Sequence, residues 1–232
     1  MAQRVNFSED LFNSFILPEF DPAGWEMTPS EKMIFVELLR RLTPKFALEI
    51  GSRAGGSMQV LTQFCDKILC LDIDSTIATR LSTRFPKTSF VIGDSKQILP
   101  KLLEDLIIKQ EFPNFIHLDG DHSEEGAFLD LSAVLSTKPP HDVVILMHDT
   151  FNPIVRRGLL KVDFNAMPYL HYADIDFAPG VLHERPVVKD EMWGGFSLFI
   201  MKAQERVTPL SANTYLQRMN DTIAGISVHR NS

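Results

Sequence analysis

The stretch Ala47-Leu48-Glu49-Ile50-Gly51-Ser52-Arg53-Ala54-Gly55-Gly56-Ser57 decides the architecture. A short apolar run ends in an acid, breaks into a loop with three glycines, and enters an apolar-periodic segment. That is the pattern of the first strand, turn and helix of a nucleotide-type α/β fold, where the carboxyl end of a strand meets a helix N-terminus. A second apolar run, Ile68-Leu69-Cys70-Leu71, closes on Asp72.

Working outward, apolar runs recur at 46–50, 68–72, 89–92, 115–118 and 143–147. They are short and nearly uninterrupted, as strands buried on both faces of a parallel sheet must be. Between them lie helical segments at 57–64, 76–84, 96–109 and 126–136. This alternation predicts a doubly wound, mostly parallel sheet with helices on both faces. Upstream, Thr28-Pro29-Ser30-Glu31 opens a helix, with proline in the first turn and an acid at its positive end. Pro44 ends that helix. After Asp149 the rhythm changes. A helix near 154–162 leads to strands at 169–177 and 195–201, a pattern that fits an edge with one antiparallel member. The chain therefore reads as an arm or lid (1–30), one α/β domain (31–206) and a weakly patterned tail (207–232).

The totals agree with one sizeable soluble domain: 232 residues, 44% hydrophobic and 23% charged. A net charge of −7 argues against nucleic acid or an anionic membrane as the main partner. No apolar run is long enough to span a bilayer, and the first ten residues lack a signal-peptide core. Cys65 and Cys70 are expected to be reduced core thiols of a cytosolic protein. The arm and the acidic surface are compatible with a homodimer without demanding one.

The glycine loop and the two acids mark a pocket for an adenosine-containing cofactor. A dinucleotide fingerprint needs G-x-G-x-x-G, its middle glycine letting a diphosphate touch the backbone. Counted from Gly51, that position holds Arg53. The spacing suits S-adenosylmethionine instead. Glu49 can face an ammonium, amides near Gly55 and Gly56 a carboxylate at the helix N-terminus, and Asp72 two ribose hydroxyls. Gly93-Asp94-Ser95 is placed to border adenine. The plain alternatives are a structural turn for the loop and a strand-end turn or helix cap for Asp72.

A dense polar cluster follows at Asp119-Gly120-Asp121-His122-Ser123-Glu124-Glu125-Gly126, with His148-Asp149-Thr150 downstream. Asp119 ends the fourth strand and His148-Asp149 the fifth, so both reach the crevice above the sheet. Crowded carboxylates there repel unless protonated or bridged by a cation. A divalent metal relieves the repulsion and can acidify and orient a substrate hydroxyl. A histidine, with a solution pKa near 6.5, suits the role of base. Helix capping is the alternative for both His122 and Asp121.

Glu49 to Gly56, Asp72 and Gly93-Asp94 resemble the first motifs of class I S-adenosylmethionine-dependent methyltransferases, over roughly residues 30–205. The Asp-Gly-Asp-His-Ser-x-Glu-Gly run with its His-Asp pair resembles a small-molecule subset, which includes macrolide-sugar O-methyltransferases and cephalosporin-hydroxylase-like proteins. The resemblance implies a seven-stranded Rossmann-like sheet of order 3-2-1-4-5-7-6, and methyl transfer to a hydroxyl of a small molecule such as a sugar or secondary metabolite. It implies cofactor contacts at Glu49, Gly51, Ser52, Gly55, Ser57, Asp72, Asp94, Ser95 and Asp119. It further implies His122 as general base and a divalent metal (Mg, Mn or softer) on Asp119, His148 and Asp149. His148 is the departure, standing where the sugar enzymes carry an acid; magnesium prefers oxygen ligands.

Rival readings stay open. A hydroxylase or hydrolase could use His122, His148 and Asp149 as a two-histidine, one-carboxylate set. A non-catalytic cofactor-binding subunit would not use His122 at all. Arg156 and Arg157 are read as a solvated helix face, with an anionic substrate as the alternative. Trp25 and Met27 either close over the pocket or simply pack, and Trp193 is read as a packed aromatic in a turn. His171, Tyr172, His183, Glu184 and Arg185 have no assigned role.

Overall fold

The structure, a computed structural model, describes residues 16–22, 24–182 and 191–213. Helix α1 (Pro29–Leu42) starts at a capping box: Thr28 accepts from the Glu31 amide, and the Glu31 carboxylate accepts from the Thr28 amide. It stops where Thr43 turns left-handed (φ 39°) before Pro44. Five parallel strands follow: β1 (Phe46–Ile50), β2 (Lys67–Asp72), β3 (Thr88–Ile92), β4 (Phe115–Leu118) and β5 (Val143–His148). Between them run α2 (Gly56–Phe64), α3 (Ile77–Leu81), α4 (Ser95–Ile108) and α5 (Glu124–Leu135). After β5 come α6 (Pro153–Leu160) and a long antiparallel pair, β6 (Leu170–Leu182) and β7 (Met192–Met201). A short strand, β8 (Ser211–Asn213), closes the series.

The sheet order is β3-β2-β1-β4-β5-β7-β6-β8. The first seven positions are the expected 3-2-1-4-5-7-6, and β7 runs antiparallel to β5 as the changed rhythm implied. Three departures are local. β8 extends the sheet by pairing parallel to β6, where the sequence read only a weakly patterned tail. α3 is shorter than the expected 76–84: its regular helix ends at Leu81 and residues 82–84 continue as turns. β3 is only half-buried, since it is the sheet edge and lacks a neighbour on one side.

Burial on both faces explains the uninterrupted apolar strands. On one face Leu48, Ile50 and Ile116 pack with Leu99 and Leu103 of α4, Leu131 of α5 and Leu159 of α6. On the other, Ala47, Phe115 and Leu146 pack with Phe35 and Leu39 of α1 and Val60 and Leu61 of α2. Leu17, Phe20, Trp25 and Met27 join that second core, so the described part of the arm packs as well as bordering the site. Residues 1–15 and 214–232 lie outside the described residues. Cys65 and Cys70 are free and buried; burial pushes the Cys65 thiol up to about 12. Among the described residues no helix is long and apolar enough to cross a membrane.

Candidate active site at the carboxyl edge of the sheet

The carboxyl ends of β1 to β5 open onto one cavity of about 640 Å³. Its walls include Gly51, Ser52 and Ser57 after β1, Asp72 at the end of β2, and Asp94 and Ser95 after β3. Asp119 and His122 after β4, and His148 and Asp149 at β5, complete it on the other side of β1. Of the expected cofactor residues, Glu49 and Gly55 stand outside the lining. Glu49 is fully buried behind it, and Gly55 (φ 81°) caps α2 against Phe85.

The glycine loop is shaped by close approach. Gly51 takes φ 76°, and a Cβ there would lie 2.3 Å from the Asp119 carbonyl oxygen. Only glycine allows the β1 and β4 loops to touch in this way. Arg53, in the position that would exclude a diphosphate, is left-handed (φ 47°) and pairs with Glu26 across the cavity mouth. Residues Gly24 to Met27 wall the cavity from above the loop. Gly56 makes room for them, since a Cβ on it would meet the Trp25 Cα at 2.5 Å.

Asp72 accepts from the Ser52 amide (2.9 Å) and the Asp74 amide (2.8 Å), which fixes its carboxylate at the cavity wall. Each oxygen keeps lone-pair capacity for a further donor. Asp94 caps α4 through the Lys96 amide, and Ser95 donates to the buried Asp130. The cap of α5 is Ser123, accepting from the Gly126 amide, so neither His122 nor Asp121 is needed there. Asp121 pairs instead with Lys96 (2.8 Å) and accepts from the Ser123 amide.

At the far end the charged groups converge. His122 Nε2 lies 3.1 Å from Asp149 and 3.4 Å from Asp119. Donor atoms of Asp119, His122 and Asp149 all fall within 4.8 Å of one another, a spacing that fits a single cation. His148 is buried beneath them. Its Nδ1 faces Asp119 (3.2 Å) and Asp149 (3.5 Å), and its Nε2 faces Glu31 (3.2 Å). Burial works against a charged His122 ring, but hydrogen bonds to Asp119 and Asp149 outweigh it and push the imidazole up to about 10. Burial likewise opposes charge on His148, and the surrounding carboxylates raise it well above its usual range. Burial pushes the Asp119 and Asp149 carboxyls up; the nearby histidines outweigh it and hold both below their ordinary values.

Two side chains, Glu31 and His117, join the site beyond the sequence expectations, and Trp193, expected as a packed aromatic in a turn, packs as expected but lies within β7. Glu31 was legible as a helix-start acid, yet it also reaches His148 and accepts from the Gly195 amide. Trp193 packs edge-on to the His122 ring, 5.6 Å between centroids, and the Gly194 amide donates to Asp149 at 2.6 Å. His117 sits within β4, bonded to Glu49. Its only signal was a polar residue in a strand otherwise apolar and wholly buried. Arg156 is not a solvated residue: it binds Asp176 (2.6 Å) and the Ile175 carbonyl. Arg157 does lie on the exposed face, paired with Glu124. His171 bonds the Gln204 carbonyl and Tyr172 donates to Asp174. His183, Glu184 and Arg185 lie outside the described residues.

Residues 48–150 match the sequence profile of a family described as a methyltransferase domain. A search of curated protein sequences found no match. Solved structures share the fold at low identity. The O-methyltransferase TomG of Streptomyces achromogenes, involved in tomaymycin synthesis and solved with S-adenosylmethionine, is 15% identical with a TM-score of 0.59; the match covers 87% of this chain and 99% of that one. An O-methyltransferase of Bacillus cereus, solved with S-adenosylhomocysteine, is 13% identical with a TM-score of 0.55, covering 86% and 93%. CalS11, a TDP-rhamnose 3'-O-methyltransferase of calicheamicin biosynthesis, is 12% identical with a TM-score of 0.50, covering 87% and 95%. The strand order, the glycine loop and these likenesses converge on one conclusion: the chain has the Rossmann-like fold of these methyltransferases, and its segment 48–150 matches the methyltransferase-domain profile.

Proposed function

We propose that the protein transfers the methyl group of S-adenosylmethionine to a hydroxyl of a small molecule, a sugar or secondary metabolite being the class in view. One observation carries the reading: a single cavity joins Asp72 and Asp94 at one end to an acid–base cluster of Asp119, His122 and Asp149 at the other. The fold neighbours quoted above include O-methyltransferases, one of them acting on a deoxysugar nucleotide, and they support a hydroxyl acceptor.

The sulfonium already carries a reactive methyl, so the protein's work is alignment and proton removal. In this reading Asp72 accepts from the ribose hydroxyls, and amides at the start of α2 meet the methionine carboxylate. His122 takes the proton of the acceptor hydroxyl. Asp119 and Asp149 are the residues that would hold a divalent cation, with His148 kept behind them by Glu31. Such a cation would supply charge to acidify and orient the hydroxyl, and would draw off the two carboxylates that now hold His122 protonated.

Titration calorimetry with S-adenosylmethionine tests the reading. The wild type is expected to bind. Asp72→Ala is expected to weaken binding by roughly tenfold or more, the scale of losing charge-assisted bonds. His122→Ala is expected to keep the cofactor while losing methyl transfer to a panel of hydroxylated sugars, followed by mass spectrometry. No cofactor binding by the wild type, or undiminished binding by Asp72→Ala, would sink the proposal.

A further inference from the structure

Behind the cavity wall lies a buried polar chain that the mechanism above does not use. The Ser57 hydroxyl, on the cavity side, donates to Glu49 Oε1 at 2.5 Å. His117 reaches the same oxygen with Nδ1, at 3.2 Å. Glu49 and His117 have no exposed surface, and Glu49 Oε2 and His117 Nε2 have no hydrogen-bond partner among the described residues. A buried carboxylate with one oxygen doubly bonded and the other bare is an incomplete arrangement, since a group so placed is ordinarily satisfied. The His117 ring is held by Phe35, 4.9 Å between centroids, and by Phe196, at 6.4 Å. It therefore has a fixed orientation.

We propose that His117 is a positioning residue for the cofactor: it holds Glu49, and with it Ser57, so that a negative charge stands directly behind the wall where the methionine ammonium binds. The inference rests on the cofactor reading above and adds a residue to it. Its physical basis is that a carboxylate in a water-poor setting attracts a cation one side chain away far more strongly than it would in water. The effect depends on the carboxylate staying put. Ser57 fixes it from the cavity side and His117 from the sheet side. With His117 gone, Glu49 is free to turn its charge toward another donor.

The test compares two ligands by calorimetry on the full chain: S-adenosylhomocysteine, and the same compound without its α-amino group. The wild type is expected to prefer the amino compound clearly. His117→Leu is expected to lose roughly tenfold or more on the amino compound, and little on the deaminated one. His117→Asn keeps a donor near the Nδ1 position and is expected to restore the preference. His117→Gln places its donor near Nε2 and is expected to lose it. This polar pair decides the matter if the leucine variant does not fold. A merely structural role would weaken both ligands together. Equal losses on the two ligands, or no loss on either, would overturn the proposal. If the wild type bound neither ligand, the cofactor reading itself would fall, and this inference with it.

Discussion

At the scale of the residue, Glu31 shows how one side chain can serve two ends of a structure. Its carboxylate completes the capping box of α1 and also faces the buried His148, 117 positions along the chain. The capping role tolerates glutamine, because a capping box accepts Glu or Gln at this place. Glu31→Gln therefore isolates the second role. We expect it to cost roughly 2 kcal/mol in urea unfolding, because the buried imidazolium loses one of its charged partners. Thr28→Ala is the control and should cost about 1 kcal/mol through the cap alone. A glutamine variant as stable as the wild type would show that the pair contributes nothing. Residue-level legibility divides along the same line. Asp72 and Asp119 could be read from the sequence because each follows directly on an apolar run, and His122 and Asp149 because they stand in the short polar clusters that begin where such runs end. Glu31 and His117 could not, because their partners are fixed by how α1 crosses the sheet, and no local spacing encodes that.

At the scale of the element, the loop between β1 and α2 is held from two sides. Gly51 abuts the β4 loop below, and Gly56 abuts the segment 24–27 above. Gly56 has no left-handed backbone requirement, so a side chain there is excluded by contact alone. Gly56→Ala is thus expected to lift the 16–28 segment while leaving the sheet intact. Limited proteolysis should then cut near Asp21 to Met27 before any loss of far-ultraviolet circular dichroism. Unchanged protease resistance would mean that the segment is held by other contacts, such as the reciprocal hydrogen bonds between Asp21 and Gln59. Element boundaries from the sequence were close wherever punctuation was chemical: Thr28-Pro29 before α1, Pro44 after it, and the glycines before α2. They failed where tertiary context decided. Arg156 follows the periodicity of an exposed helix face, but irregular pairing in β6 between Asp174 and Ala178 brings Asp176 inward to meet it.

At the scale of the whole molecule, stability carries a pH signature that the composition does not reveal. Burial pushes the Asp130 carboxyl up to about 6; the Ser95 hydroxyl partly offsets this, and Asp121 and Asp94 add to it. An unfolded aspartate titrates near 3.9. Between those values the folded chain binds more protons than the unfolded one, so this group makes stability fall as pH rises from about 4 to about 6. Asp130→Asn removes that dependence. The stability of the variant relative to the wild type should therefore improve by roughly 2–3 kcal/mol from pH 4 to pH 7, measured by urea unfolding at each. A difference that stays constant with pH would refute the assignment. The fold itself was the most legible level, since five alternating strand and helix units leave few topologies open. The β6–β7 edge was less so, because its register is irregular, and β8 is too short to leave a pattern.

The amides of Gly194 and Gly195 have a practical implication. They donate to Asp149 and Glu31, so the acids beside His122 and His148 also fasten the start of the last long strand to β5 and α1. Chemistry and architecture share atoms at that point. Anyone wanting a silent protein to capture the proposed acceptor should leave Asp149 alone, for its loss would unpick the border of the sheet. His122 is the place to strike: its ring is partly exposed on a loop, and no backbone group among the described residues depends on it for anchorage.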